Sequence, residues 1–146
     1  MTLGREQIAA LVPQRGAMCL LERVVSWDAA GIVCASASHR RADNPLRARG
    51  RLHAVAGIEY AAQAVALHGA LAAREGGAIG PGVLASLRDV ELEAERLDLI
   101  PGELLAIAEA LVVQQRHMLY AFRVEGDGRI LLRGRAAIAL VAGTDA

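Results

Sequence analysis

Apolar and polar positions interleave along most of this chain, with one long stretch where almost every position is apolar. Residues 5–12 put Ile8, Leu11 and Val12 on one side of a helical projection and stop at Pro13, which predicts a short amphipathic helix. Residues 18–27 are rich in Leu and Val. After the turn residues Asp28-Ala29-Ala30-Gly31, residues 32–38 alternate apolar and small side chains, so the two runs read as a hairpin. Residues 40–51 are polar and broken by Asn44-Pro45 and Gly50, and a connection of that length in a small domain suggests function. From about residue 54 to residue 74 the chain is nearly all apolar, interrupted by Glu59, Gln63 and His68, and reads as one helix closed by Gly76-Gly77. Residues 83–95, 103–114 and 118–125 then read as strands. Gly126-Asp127-Gly128 signals a tight hairpin before a last strand over residues 129–141.

A helix that is apolar on all sides must be covered on all sides. A curved antiparallel sheet of five or six strands wraps about half of it, and a second subunit is needed for the rest. The element order therefore predicts an α+β chain with the hotdog fold, one domain over residues 1–146, working as a dimer.

Composition narrows the classes. The hydrophobic fraction of 54% with 16 basic and 16 acidic side chains excludes a disordered chain, and the absence of basic excess argues against nucleic acid as a partner. Cys19 and Cys34 are too few for a disulfide framework and lack CxxC spacing. No metal or cofactor is implied, since GxGxxG, HExxH and Gly-x-Ser-x-Gly patterns are missing. Residues 76–82 are glycine-rich without the Lys-Ser/Thr of a phosphate loop, and read as a turn. The first ten residues carry Arg5 and Glu6 and no apolar signal region, which points to the cytoplasm. Residues 52–73 are long enough to cross a bilayer, but Glu59, Gln63 and His68 and the high alanine content favour a helix buried in protein over a membrane span.

Three landmarks resemble one family. The run Ile8-Ala9-Ala10-Leu11-Val12-Pro13-Gln14-Arg15 leading to Leu20-Leu21-Glu22-Arg23-Val24 resembles the opening of the beta-hydroxyacyl-(acyl carrier protein) dehydratases, where a short helix passes through Pro-His-Arg to a strand ending in Asp-Arg-Val. Gly57-Ile58-Glu59-Tyr60-Ala61-Ala62-Gln63-Ala64 resembles their central helix, and Pro101-Gly102-Glu103 their Pro-Gly-Asp turn. The wording of the helix is most similar to a divergent dehydratase-like branch associated with aryl-polyene-type lipid gene clusters. The resemblance departs in two places. Pro-His-Arg is here Pro13-Gln14-Arg15, and the catalytic His-Phe-Pro is replaced by Asp43-Asn44-Pro45-Leu46, with Asn44 in about the histidine's place. An amide cannot exchange a proton at neutral pH, so the usual His/Glu dyad is not intact as a linear motif.

Glu59 is the leading candidate for chemistry. A carboxylate on so apolar a helix must meet a donor or work in a cleft, because an unpaired buried charge is costly. It serves either acid/base chemistry or an ion pair with an arginine of residues 40–51. Gln63, four residues on, shares its face and either orients Glu59 or makes an ordinary buried hydrogen bond. His53 and His39 are candidate replacements for the missing base, His53 reaching across a dimer interface. The bland alternatives are a capping-region residue for His53 and a residue at the loop mouth for His39. His68 lies about 180° around the helix from Glu59 and reads as a core histidine. His117 reads as a solvated turn residue. Gly57, Asn44 and Arg51 are expected around the substrate. Arg40, Arg41, Arg47, Arg49 and Arg51 form either a basic mouth for an acidic carrier or a solvated loop.

The resemblance implies dehydration of a 3-hydroxyacyl thioester carried by acyl carrier protein or coenzyme A, in fatty-acid or polyene-type lipid synthesis. Two alternatives stand beside it. One is a non-catalytic hotdog subunit that partners an active dehydratase, and the other is an acyl thioesterase using Glu59 to activate water. The dimer is a homodimer or a heterodimer with a hotdog homologue.

Overall fold

A computed structural model describes residues 3–74, 82–114 and 116–140. Seven strands form one antiparallel sheet: β1 (Leu3–Gly4), β2 (Arg23–Asp28), β3 (Gly31–Ser36), β4 (Gly82–Leu92), β5 (Leu104–Val113), β6 (His117–Gly126) and β7 (Arg129–Leu140). Their order across the sheet is β1-β2-β3-β5-β6-β7-β4. A short helix, α1 (Arg5–Ala9), precedes β2, and one long helix, α2 (Gly57–Arg74), lies across β3, β5 and β6. This is the hotdog arrangement expected from the pattern, with seven strands in place of five or six. The additional strand is β1, whose two residues are too few to show any period.

The β6–β7 hairpin closes where the glycines predicted it. Asp127 and Gly128 both take positive φ, 52° and 73°, the pairing a tight primed turn requires. The β2–β3 turn is closed by Asp28, whose Oδ1 accepts from the amides of Ala30 and Gly31.

The expected strand over residues 18–27 begins only at Arg23. The preceding backbone is claimed by a side chain instead. Gln63 on α2 donates to the Met18 carbonyl and accepts from the Leu20 amide, so residues 18–20 bond to the helix rather than to a neighbouring strand.

α2 is preceded by a 3-10 turn, Ala54–Ala56, and together they span the predicted helix. The proposed stop at Gly76-Gly77 lies outside the described residues, as does most of the glycine-rich turn of residues 76–82. Tyr60, Ala64, Leu67 and His68 are fully buried against the sheet, with Leu20, Leu21, Tyr120 and Leu132 among the core residues. Gly57 lets α2 begin close against Leu132, whose side chain would have to shift to admit a Cβ there. At the far edge of the sheet β4 is exposed from Leu84 to Leu92, including the apolar Leu84, Leu87, Val90 and Leu92. Among the described residues no helix is long and apolar enough to cross a membrane.

Candidate active site

One side of α2 borders a pocket of about 650 Å³. Small residues make the room: Ala62, Ala66, Gly69, Ala70 and Ala73 follow one another down the helix. The opposite walls come from the stretch after α1 and from β4, β6 and β7, with Leu84, Leu87, Met118, Phe122 and Ile138. The lining is apolar except near the start of α2, where Glu59, Gln14 and Arg15 line the pocket.

Glu59 is half-buried, and its carboxylate is held asymmetrically. Oε2 accepts from Gln14 Nε2 at 3.2 Å and from Gln63 Nε2 at 3.0 Å. Oε1 has no hydrogen-bond partner among the described residues and is not sealed from solvent. Gln63 is fully committed. Besides Glu59 and the Met18 carbonyl, its Oε1 accepts from the Leu20 amide at 2.9 Å, so its amide cannot turn over without breaking all three bonds. No arginine pairs with Glu59, and the ion pairs of the described residues lie elsewhere.

The structure brings Glu59 and Gln63 together and places the other candidates elsewhere within the chain. His53 is exposed, and its Nδ1 accepts from the Val55 amide at 3.0 Å to cap the turn before α2. His39 is buried with Nε2 against the Ile100 carbonyl at 2.9 Å. A carbonyl only accepts, so Nε2 carries the proton and Nδ1 is buried with no partner among the described residues. Burial, the main cause, holds the His39 pKa below its ordinary value. Asn44 donates through Nδ2 to the Ser38 carbonyl and the Tyr60 hydroxyl, and its Oδ1 accepts from the Leu46 amide. Gly57 packs on Leu132, and Arg51 is exposed on a loop bridge with Ala48.

None of residues 40–51 lines the pocket in this chain. Arg41 pairs with Asp43 at 3.0 Å. Arg47 turns inward onto the carbonyls of His39, Arg41 and Gly50. Arg40, Arg49 and Arg51 remain exposed. His68 stands on the far side of α2, between the Tyr120 hydroxyl at 2.6 Å and the Asp28 carbonyl at 2.8 Å. His117 is exposed at the start of β6. Cys19 and Cys34 are both free and buried, and among the described residues no group of three His, Cys, Asp or Glu side chains could hold a metal.

Gln14 is the site residue that sequence reasoning missed. It lies 45 positions from Glu59, so no local period links them. The signal available was its place in Pro13-Gln14-Arg15, where the dehydratases carry a histidine.

Comparison with known structures agrees with this fold. The chain is similar to the dehydratase heterocomplex ApeI:P from Xenorhabdus doucetiae, with 20% identity over 97% of this chain and 93% of that one and a TM-score of 0.79. It is also similar to a mutant thioesterase from Pseudomonas aeruginosa, at 18% identity over 97% and 96% of the two chains with a TM-score of 0.63. Zebrafish thioesterase superfamily member 2 follows at 19% identity, 94% and 95% coverage, and a TM-score of 0.64. At these identities the structures establish the fold alone. No curated protein matches the sequence. The ApeP-like family model, described as ApeP dehydratase, matches residues 6–143, nearly the whole length, and the chain belongs to that family.

Proposed function

We propose that this chain acts on 3-hydroxyacyl thioesters in the cytoplasm, as one half of a two-subunit dehydratase with a hotdog homologue. The observation that carries this reading is the Glu59 carboxyl at the head of an apolar pocket, with Oε2 tied by two amides and Oε1 open. An acyl chain would lie beside Ala62, Ala66 and Gly69, with its 3-hydroxyl at Glu59. Dehydration removes the C2 proton, forms the C2–C3 double bond and breaks the C3–O bond, so it needs a base and an acid. Glu59 would protonate the departing hydroxyl, directly or through a water it holds, and amides near the start of α2 would receive the thioester carbonyl.

The base would come from a second subunit. Arg15 is the pocket's other charged lining residue, and no histidine lines it. His53 and Arg51 are exposed and can face a neighbouring chain, whereas His39, Asn44 and Gly57 are enclosed by their own. The open edge of β4, with Leu84, Leu87, Val90 and Leu92 exposed, supports a partner there, because an unpaired apolar edge is otherwise an aggregation hazard. The ApeI:P complex, a dehydratase heterocomplex by its description, favours a different hotdog chain over a second copy. An acyl carrier protein or coenzyme A would deliver the thioester.

The same lack of a histidine favours a second reading, in which the chain only completes its partner's site. The test is turnover of 3-hydroxyacyl thioesters by the chain alone, by the pair, and by the pair carrying Glu59→Gln. The first reading expects the pair active, the chain alone at least 10²-fold slower and the Glu59→Gln pair impaired to a similar degree. A Glu59→Gln pair with full turnover would make the chain a non-catalytic subunit. Release of the free acid without dehydration would make it a thioesterase.

A further inference from the structure

We infer that Gln14 is a positioning residue of this site: with Gln63 it pins Oε2 of Glu59, and thereby leaves Oε1 as the oxygen that exchanges protons with substrate. The inference rests on the dehydratase reading for its chemistry, but its geometry stands on the chain itself.

Both amides donate to the same oxygen. A carboxyl held this way keeps its orientation when a proton is added at Oε1, since Oε2 then remains the carbonyl-like acceptor. Acid and base forms thus share one geometry, and no rearrangement accompanies the proton transfer. Gln63 alone would leave the carboxyl free to swing about its single anchored contact. The second donor removes that freedom.

Three features show that Gln14 is held for this purpose. Pro13 fixes the backbone just before it. Arg15, just after it, folds back to donate from Nη1 to the Ala9 and Val12 carbonyls, closing the end of α1. Arg5 spans the other side of the turn, donating from Nη2 to the Gly16 and Cys19 carbonyls. The turn presenting Gln14 is therefore braced from both ends. The orientation of its amide is also informative. Gln14 Oε1 is sealed from solvent with no partner among the described residues, while the Nε2 donor is committed to Glu59.

Little else near Glu59 competes electrostatically. On the segment after α1 the charged neighbour is Arg15, whose Nη1 donates to two carbonyls while its positive charge stays on the pocket lining. From α2 itself comes Gln63, and β4, β6 and β7 present only apolar side chains to the pocket. Loss of the Gln14 donor should therefore be read directly at Glu59.

The experiment compares wild type, Gln14→Leu and Gln14→His in two ways. In the two-subunit enzyme, Gln14→Leu is expected to lower kcat by about 10- to 100-fold with KM little changed. Gln14→His restores an N–H and should recover kcat. Independently of turnover, a crystal structure of Gln14→Leu should show the Glu59 carboxyl turned from its wild-type orientation or spread over more than one, and a structure of Gln14→His should show the wild-type orientation. A Glu59 carboxyl that keeps its wild-type orientation in Gln14→Leu overturns the inference, whatever the activity does. A reoriented carboxyl in a pair that never turns over keeps the clamp and removes the dehydratase reading. If Gln14→Leu does not fold, Gln14→Met, which keeps the side-chain length without the donor, should reorient the carboxyl in the same way, and an unmoved carboxyl there also overturns the inference.

Discussion

The two sides of α2 carry polar groups in opposite states. On the fully buried side the networks are closed. His68 donates from Nε2 to the Asp28 carbonyl and receives the Tyr120 hydroxyl at Nδ1, with its ring edge-on to Tyr120. A few turns away Asn44 donates to the Tyr60 hydroxyl, Tyr60 to Ser38, and Ser38 to the Leu20 carbonyl. Each hydrogen bond there has an internal partner, and burial pushes the Tyr120 hydroxyl up to about 12, well away from proton traffic. On the pocket side Glu59 keeps one oxygen unspent beside an apolar space. A polar residue with all its valences filled specifies packing, whereas one with a valence left open toward a cavity can work on a ligand. The two sides meet at Leu20, whose carbonyl closes the Ser38 network and whose amide holds Gln63 behind Glu59.

The contrast breaks most visibly on the open side. Glu59→Gln should lower dehydration by roughly 10²–10⁴-fold while the melting temperature stays near wild type, since the amide keeps an oxygen for Gln14 and Gln63. Steady-state kinetics beside thermal melts check this, and a large loss of melting temperature with normal turnover would invert the two roles.

On the closed side the expected pattern is reversed. Tyr120→Phe removes the hydroxyl and leaves buried His68 Nδ1 without a donor, which should cost about 1–3 kcal/mol of stability with turnover unchanged. Denaturant titration measures it. Asn44→Ala sharpens the comparison further, because Asn44 stands near the family's histidine in sequence yet lies in the closed network. A structural Asn44 costs about 1–3 kcal/mol on truncation with near-normal kcat, while a substrate-binding Asn44 would show chiefly as a raised KM.

A smaller effect concerns the loop that precedes α2. Asp98 accepts from Arg96 and from the Leu52 amide, with Arg47 at 3.9 Å. The Arg96 guanidinium, first among the causes, holds the Asp98 carboxyl far below the usual carboxylate range. A depressed carboxylate contributes stability above its unfolded pKa and loses it as pH falls below about 4. Melting temperatures at pH 7 and pH 3 should therefore differ more in wild type than in Asp98→Asn.

The sequence was most informative where structure is local. The apolar run into α2 and the Gly126-Asp127-Gly128 turn are decided by neighbours in the chain, and both appear where expected. Residues 18–22 read as strand because composition cannot show that a glutamine more than 40 positions away takes their hydrogen bonds. The same reason divides the site. Glu59 and Gln63 are four residues apart on one helix and were legible as a pair, whereas Gln14 arrives from another element through tertiary packing. His39 looked available at the mouth of a polar loop, yet the loop folds over it and its Nε2 meets the Ile100 carbonyl.

The central claim is that the open oxygen of Glu59 meets the substrate. A crystal structure of the two-subunit complex with a non-cleavable 3-hydroxyacyl pantetheine analogue tests it most directly. The account predicts the 3-hydroxyl within hydrogen-bond distance of Glu59 Oε1, Oε2 still held by Gln14 and Gln63, and the acyl chain along Ala62, Ala66 and Gly69. An analogue bound elsewhere with this pocket empty, or Glu59 Oε1 sealed by a side chain of the partner, would contradict it.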